Sequence, residues 1–531
     1  MVVIRSDKKI FIRSFGEEWT DKLKTYSRII GFSYEDNQEE IKLEFNPDRP
    51  DIYSTLSLIH SIRTYFGSPS KRGEMSVAKR RINNLKPRCR PYIIALEVNL
   101  GKTNSRVAKD SLEYFDRISE NVGKKRKLFA SGIHDLNKVI GDLTYGEISV
   151  EEEFETFDDK RSTIFDLINE HPKGREYGSL VSDSLKDGKI CALKDSNRII
   201  SIPPLFNSKS SRVENDTLSV LVDITASTKE GLILGARLGA GYFTKLGLNV
   251  QFLNSECSEE ILSSLKSDMY QMDSEVIKEI SGVSASIPKI ATYLKKMGYG
   301  IDKKNIKVPL ERIDVMGYED IVEDFIKAYG INQIEPRELT SNFTGKLDEL
   351  NMFTSKVRQV AIDYGFLEII NFVLRKEEGD DKLEILNAKS EEFSKLRKNL
   401  IGGILEFFQR NRQYGFPQKV FEVGEVFIEG TQDRTLAVSI CGRHSNYSDI
   451  KGYLDGIIQA FGISNIQMHE GNMGEFVYGR HGIVEIEGDN VGFIGEISPE
   501  IIQKYSFNFP VTYFEISLTK LYEKLKKKHI R

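Results

Sequence analysis

The chain has 531 residues, 40% hydrophobic and 29% charged, with 75 Lys and Arg against 79 Asp and Glu for a net charge of −4. That length implies roughly three to five domains, and the near-balance of charge gives the chain as a whole no long-range pull on a polyanion. No apolar run reaches the ~18 residues of a membrane helix, and MVVIRSDKKIFIRSFGEEW lacks the apolar core of a secretory signal, so a cytoplasmic protein is expected. Cys89, Cys191, Cys257 and Cys441 lie far apart with no CxxC pair, which argues against a zinc site or a disulfide framework and leaves them as buried, reduced thiols.

In chain order, FIRSFGEEWTDKLKTYSRIIGFSYED reads as a helix and IKLEFN as a strand. NPDRPDIYSTLSLIHSIRTYFG reads as a helix opened by a turn, with Leu56, Ile59, Ile62 and Tyr65 at helical spacing and Gly67 as its stop. A polar, basic linker from Ser68 to Arg90 closes an N-terminal α/β region over 1–90. Residues 91–267 read as a separate α+β domain. Its strands are YIIALEV, ICALKD, RIISIPP and LSVLVDITAS, a helix runs through Val107 to Ile118, and GLILGARLGAGYFTKLGLNVQFL mixes a helix with a strand. Residues 268–340 form a small module with helices IPKIATYLKKMGYG and EDIVEDFIKAYG, each ending on Tyr-Gly, and a strand between them. Residues 341–531 alternate helices (Leu350 to Tyr364, LRKNLIGGILEFFQRN, Ile450 to Phe461) with strands (FLEIINFVL, VFEVGEVFI, LAVSICG, IVEIEGDNVGFIGEI, VTYFEISL). Helices on one face of a largely antiparallel sheet are expected there.

The stretch ERIDVMGYEDIVEDFIKAYG, Glu311 to Gly330, crowds six carboxylates into fourteen residues. A helix starting near Tyr318 puts Asp320, Glu323 and Asp324 on one face opposite Ile321, Val322, Phe325, Ile326 and Tyr329. Two readings stand: acids favoured in a first turn by the helix dipole, or oxygen ligands converging with Asp314 on a cation, for which a set without histidine suits Mg²⁺. Glu311 and Glu319 are expected in solvent. The basic runs KRRINNLKPRCR, GKKRK and KLKKKH either contact phosphates or form solvated faces. The glycines of GLILGARLGAGYF lack the dinucleotide fingerprint's context and imply close helix packing. His134 in GIHDL and His481 in YGRHG show no catalytic spacing, so each is expected in a surface or core role.

Taken together and in order, NPDRPDIYSTLSLIHSIR, the Arg126 to Leu136 run RKLFASGIHDL, SIPPLFNS with LSVLVDIT, VPLERIDVMGYEDIVEDFIKAYGINQIEP, LRKNLIGGILEFFQRN with VFEVGEVF, SDIKGYLDGII and GFIGEISPEII resemble the beta subunit of phenylalanyl-tRNA synthetase of the archaeal and eukaryotic cytosolic type. The resemblance implies an α₂β₂ heterotetramer that uses ATP to attach phenylalanine to its tRNA, with catalysis in a separate alpha subunit. It implies an editing-type α+β domain, a small helical metal-binding module, and a class II synthetase-like antiparallel core. VFEVGEVF offers no arginine for the ATP α-phosphate, and GFIGEISPE stands where a glycine-rich run ending in arginine would hold the γ-phosphate. The core is therefore read as catalytically silent. The resemblance further implies Mg²⁺ on Asp314, Asp320, Glu323 and Asp324, and hydrolysis of mischarged Tyr-tRNA by an editing site built from Arg126, Ser201, Asn207, Asp223 and Thr225. An apolar pocket made for phenylalanine rejects the added hydroxyl of tyrosine only weakly, which is why such a site is needed. The chain departs from the family where a Gln and a His usually precede the basic run, having Phe115 and Ser119, and where Thr225-Ala226-Ser227 replaces Thr-Gly-Thr, so a decayed editing domain kept for packing and tRNA contact is the other reading of this region. A stand-alone tRNA-binding or tRNA-deacylating module is the alternative.

Overall fold

The computed structural model describes all residues except 1, 70, 102–103, 256–257, 337, 339–342, 377–382, 472 and 530–531, so Cys257 lies outside the described residues. The chain divides into two compact units, Met1–Glu338 and Leu339–Arg531. Among the described residues no helix is long and apolar enough to cross a membrane.

The first unit begins with a three-stranded antiparallel sheet in which Glu40–Phe45 lies between Val2–Asp7 and Ser33–Asp36. The expected first helix is two, Lys8–Phe15 and Trp19–Ile30, because Gly16 adopts φ 63° and turns the chain. Helix Thr55–Tyr65 starts at Ser54, whose hydroxyl and that of Ser57 cap each other's backbone.

A nine-stranded mixed sheet follows, in the order Phe206–Asn207, Ile199–Ile202, Lys189–Lys194, Leu143–Ser149, Met75–Asn84, Val250–Asn254, Tyr92–Asn99, Ser219–Ala226, Phe129–Asp135. Residues 75–84, read from sequence as linker, are a central strand paired in parallel with both neighbours. Only Ala78 and Ile82 of that strand are buried, so its apolar alternation is nearly invisible. Arg80 supplies other ties, donating to the Val139 and Gly141 carbonyls and pairing with Glu97 at 2.8 Å. Helices Asn104–Glu120 and Lys229–Lys245 cover one face. The glycines of the second mark close packing, as expected: a Cβ on Gly241 would stand 2.8 Å from the backbone nitrogen of Glu311. The sheet curls until its end strands, Phe206–Asn207 and Phe129–Asp135, approach each other.

The small module carries strands Met269–Gln271, Asn305–Lys307 and Gly300–Asp302 with helices Ile287–Lys296 and Tyr318–Tyr329. The first helix stops earlier than expected, before Gly298 at φ 90°, which sends Tyr299 into the core.

The second unit is a seven-stranded sheet, antiparallel except where Leu367–Glu368 joins Gln418–Ile428. FLEIINFVL is strand only at Leu367–Glu368 and Leu374–Arg375, and between them Ile370 and Phe372 are 89% and 74% exposed. Helices lie on both faces, not one. Leu436, Val438 and Ile440 meet Glu349–Asp363, Tyr447–Gln459 and Leu518–His529, while Ala437 and Cys441 meet Ile401–Arg410. Both alternating sets of the strand Thr431–Cys441 are apolar, so both faces demand cover.

Candidate functional site

The strand Ser219–Ala226 is buried along nearly its whole length. Val220, Val222 and Ile224 pack into the helix-covered core, and Leu221, Asp223 and Thr225 therefore point to the opposite face. A carboxylate in such a strand needs a partner, and Asp223 has one. Its Oδ1 lies 2.8 Å from His134 Nε2, and His134 Nδ1 lies 2.8 Å from Ser211 Oγ. His134 and Ser211 are fully buried and Asp223 is 1% exposed. Gly132 stands directly opposite Asp223 across the strand pair, and His134 is the diagonal neighbour on the same face. A surface or core role was expected for His134; the structure gives it a core one, tied to Asp223 and Ser211.

Asp223 opens on a cavity of about 500 Å³ that is also lined by Arg126, Ser201 and Asn207. Ser201 Oγ donates to Asn207 Oδ1 at 3.4 Å across their strand pair. Arg126, at φ 61° in the turn after Gly123, donates to Glu120 at 2.9 Å, Asp116 at 2.7 Å and the Pro204 carbonyl at 3.0 Å, with its guanidinium 4.4 Å from the Tyr177 ring centre. It fastens the helix Asn104–Glu120 to the Pro203-Pro204 wall. Burial and the Arg126 charge push the Lys173 ammonium at the rim below its ordinary range. Thr225 does not reach the cavity. It lies beneath, fully buried, and accepts at Oγ1 and at its carbonyl from Arg90 at 3.3 and 2.8 Å. Of the departures noted above, Phe115 supplies an apolar wall, and Ser119 turns its hydroxyl to the Phe115 carbonyl and Ser131.

The acidic segment is arranged differently from the expectation. Asp314 and Asp324 converge, but on Arg312, whose Nη2 is 2.7 Å from Asp314 Oδ2 and 2.6 Å from Asp324 Oδ2. Asp324 is buried rather than on an outer face, and Tyr299 donates to its Oδ2 at 2.7 Å. Burial opposes its ionisation, but Arg312 and Arg49 outweigh that and hold the carboxyl below its ordinary range. Asp320 caps its own helix, accepting from the Met316 and Gly317 amides at 2.7 and 2.9 Å. Glu323 is exposed and paired with Lys327 at 2.8 Å. Among the described residues no group of three or more His, Cys, Asp or Glu is placed to hold a metal. The residues present do not fit Mg²⁺ here, because a buried guanidinium already supplies the positive charge between the two converging carboxylates. Glu319 is exposed as expected, but Glu311 is 1% exposed and bound by Arg72 at 2.9 and 2.5 Å.

Comparison with known proteins agrees with this architecture. Residues 270–331 match the model of the tRNA synthetase B5 domain, and residues 316–518 match that of the phenylalanyl tRNA synthetase beta chain CLM domain. A phenylalanine–tRNA ligase beta subunit of Thermoplasma volcanium is 31% identical over 98% of this chain and 99% of its own. The chain belongs to the phenylalanine–tRNA ligase beta-subunit family. A member from Saccharolobus islandicus is 27% identical over 92% of this chain and 93% of its own. The chain's fold is also like that of an N-terminal fragment of the Pyrococcus horikoshii phenylalanyl-tRNA synthetase beta subunit, with TM-score 0.53 and 22% identity over 62% of this chain and 99% of the fragment.

The B5 match contains all four acids and Arg312. Most of the CLM match is the seven-stranded sheet, whose face under helix Ile401–Arg410 holds a buried polar network. Arg397 pairs with Glu422 at 2.6 Å, and Glu515 accepts from the Leu400 amide at 2.9 Å, from Thr435 at 3.2 Å and from Tyr513. Burial pushes the Glu515 carboxyl up to about 7.

Proposed function

We propose that this beta subunit joins a separate alpha subunit in an α₂β₂ ligase, and that the alpha subunit uses ATP to attach phenylalanine to tRNA. The second unit then acts as a silent class II-like scaffold. What supports this is the filled sheet face: helix Ile401–Arg410 and the Arg397, Glu422 and Glu515 network occupy it, and among the described residues Arg375 and Arg397 there are paired with Glu406 and Glu422. The exposed Ile370, Phe372 and Leu386, at 89%, 74% and 91%, are apolar surface suited to an alpha-subunit contact. In the first unit, the cavity over Asp223 hydrolyses tyrosine misattached to the tRNA. The ester-linked end enters between Asn207 and Arg126. His134 holds one oxygen of Asp223, and the second positions a water for attack on the ester carbonyl. Lys173 and Arg212 at the rim face the phosphates of the tRNA end.

The deciding measurement is phenylalanine-dependent exchange of pyrophosphate into ATP, with this chain alone and with its co-expressed alpha partner. Activity is expected only from the pair. Activity from this chain alone would overturn the silent scaffold, and no activity from the pair would favour a stand-alone tRNA-deacylating module.

A further inference from the structure

Behind the wall of the cavity lie two thiols that its chemistry does not use. Cys89 and Cys191 are 102 residues apart in sequence, yet their sulfurs are 3.2 Å apart. Cys191 is fully buried on the strand Lys189–Lys194, and Cys89 is half-buried at the end of the basic run. Both touch the pocket's supports. Cys191 donates its S–H to the Pro203 carbonyl at 3.0 Å, and Pro203 lines the cavity. Cys89 precedes Arg90, which donates to the carbonyls of Thr225 at 2.8 Å and Arg126 at 3.0 Å.

We propose that Cys89 and Cys191 are a redox modification site that closes to a disulfide when the chain meets a hydroperoxide. Contact with Cys191 and the charge of Arg90 hold the Cys89 thiol down at about 6, so it is the nucleophile, while contact with Cys89 and burial keep Cys191 protonated. With hydrogen peroxide, the Cys89 thiolate attacks one peroxide oxygen, the O–O bond breaks, and a sulfenic acid and one water result after proton uptake; an organic hydroperoxide leaves as its alcohol instead. The Cys191 sulfur then attacks the Cys89 sulfur, the S–O bond breaks, and the departing hydroxide takes the Cys191 proton as a second water. Two thiols lose two electrons to the peroxide in all. Closure draws the sulfurs from 3.2 Å to about 2.05 Å and removes the S–H that holds the Pro203 carbonyl. The consequence for the cavity rests on the hydrolytic reading given above: oxidation slows Tyr-tRNA deacylation by on the order of tenfold.

The test treats the full chain with hydrogen peroxide, then denatures and alkylates it and maps the peptides by mass. Two of the four thiols are expected to resist alkylation until a dithiol reductant is added, joined as Cys89 to Cys191. Four alkylated thiols, or a bridge using Cys257 or Cys441, would overturn the site. In C191S a dimedone-reactive sulfenic acid is expected at Cys89, and an unreacted Cys89 there would remove its role as nucleophile. Deacylation by the reduced and oxidised chains is measured in parallel. An active reduced form that oxidation leaves unslowed refutes the coupling. If neither form is active, the hydrolytic reading fails while the mapped disulfide stands.

Discussion

Replacing Gly132 with Ala would push one methyl group into the space between the two residues that the hydrolytic reading depends on. The added Cβ would stand 2.3 Å from Asp223 Oδ1 and 2.8 Å from Asn207 Oδ1. Gly132 has no left-handed φ, so alanine meets no backbone strain and the cost is steric. Ordinary contact begins near 3.4 Å, which requires the carboxylate to retreat by about 1 Å. Asp223 is fixed on a buried strand, and its Oδ1 is already 2.8 Å from His134, so the retreat breaks that hydrogen bond or spreads the strand pair. Overpacking of this kind costs about 1 to 3 kcal/mol of stability, and a misplacement of about 1 Å at a reacting centre costs on the order of 10²-fold in rate. The assay is single-turnover deacylation of Tyr-tRNA by excess protein at a temperature where thermal melting shows the variant folded. A G132A chain that is destabilised yet deacylates at the parent rate would refute the assignment of this cavity to hydrolysis.

Asp223→Asn is expected to lower the same rate by about 10² to 10⁴-fold with the fold intact by circular dichroism, and His134→Gln to lower it less; equal rates in all three chains would place the chemistry elsewhere. Arg312→Met leaves Asp324 buried without its cation and is expected to cost about 3 to 5 kcal/mol in urea unfolding. Chelation by EDTA should leave the parent's melting unchanged, whereas a drop reversed by Mg²⁺ would restore the metal reading. Asp324 is held below its unfolded value, so its contribution is present above about pH 4 and is lost as the pH falls, and that acid-side loss should shrink in R312M. Glu515 has the opposite sign. Its carboxyl is raised to about 7, the folded state holds the extra proton, and stability should fall by ~3 kcal/mol as the pH rises from about 4.5 to 7. Amide exchange of the strand Val511–Ser517 reads this, with Glu515→Gln expected to flatten it.

Elements with strong periodicity were legible in the sequence. The helices Asn104–Glu120, Lys229–Lys245, Tyr318–Tyr329 and Glu349–Asp363 follow their apolar spacing, and the strand Ser219–Ala226 follows its unbroken run. The strand Met75–Asn84 was hidden because arginine hydrogen bonds, rather than apolar alternation, accompany it in the sheet. The second layer of helix over the C-terminal sheet was hidden for a related reason, since a strand apolar on both faces reads the same whatever covers it. At the candidate site, Asp223, Arg126, Ser201 and Asn207 came from the family resemblance rather than from periodicity, and the structure gathers all four around one cavity. Thr225, implied by the same resemblance, lies beneath the cavity, because residues two apart on a strand share a face without sharing depth. His134 was missed because its partners, Ser211 and Asp223, are 77 and 89 residues away.

The buried carboxylates of this chain show why spacing alone does not assign an acid. Asp324 and Glu311 are each met by an arginine: Arg72 binds both oxygens of Glu311, while Arg312 and Tyr299 share Oδ2 of Asp324. Glu515 is surrounded by an amide, a hydroxyl and a phenol, with Arg397 committed to Glu422, so burial prevails and its carboxyl rises. Asp223 differs from all three in meeting a histidine at one oxygen while facing a cavity of about 500 Å³. A carboxylate buried against an arginine is held ionised for the fold rather than presented to a substrate. One oriented through a single oxygen keeps the other for a water or an ester. On that ground the proposed hydrolytic role is assigned to Asp223, while the acidic segment packs its module around Arg312.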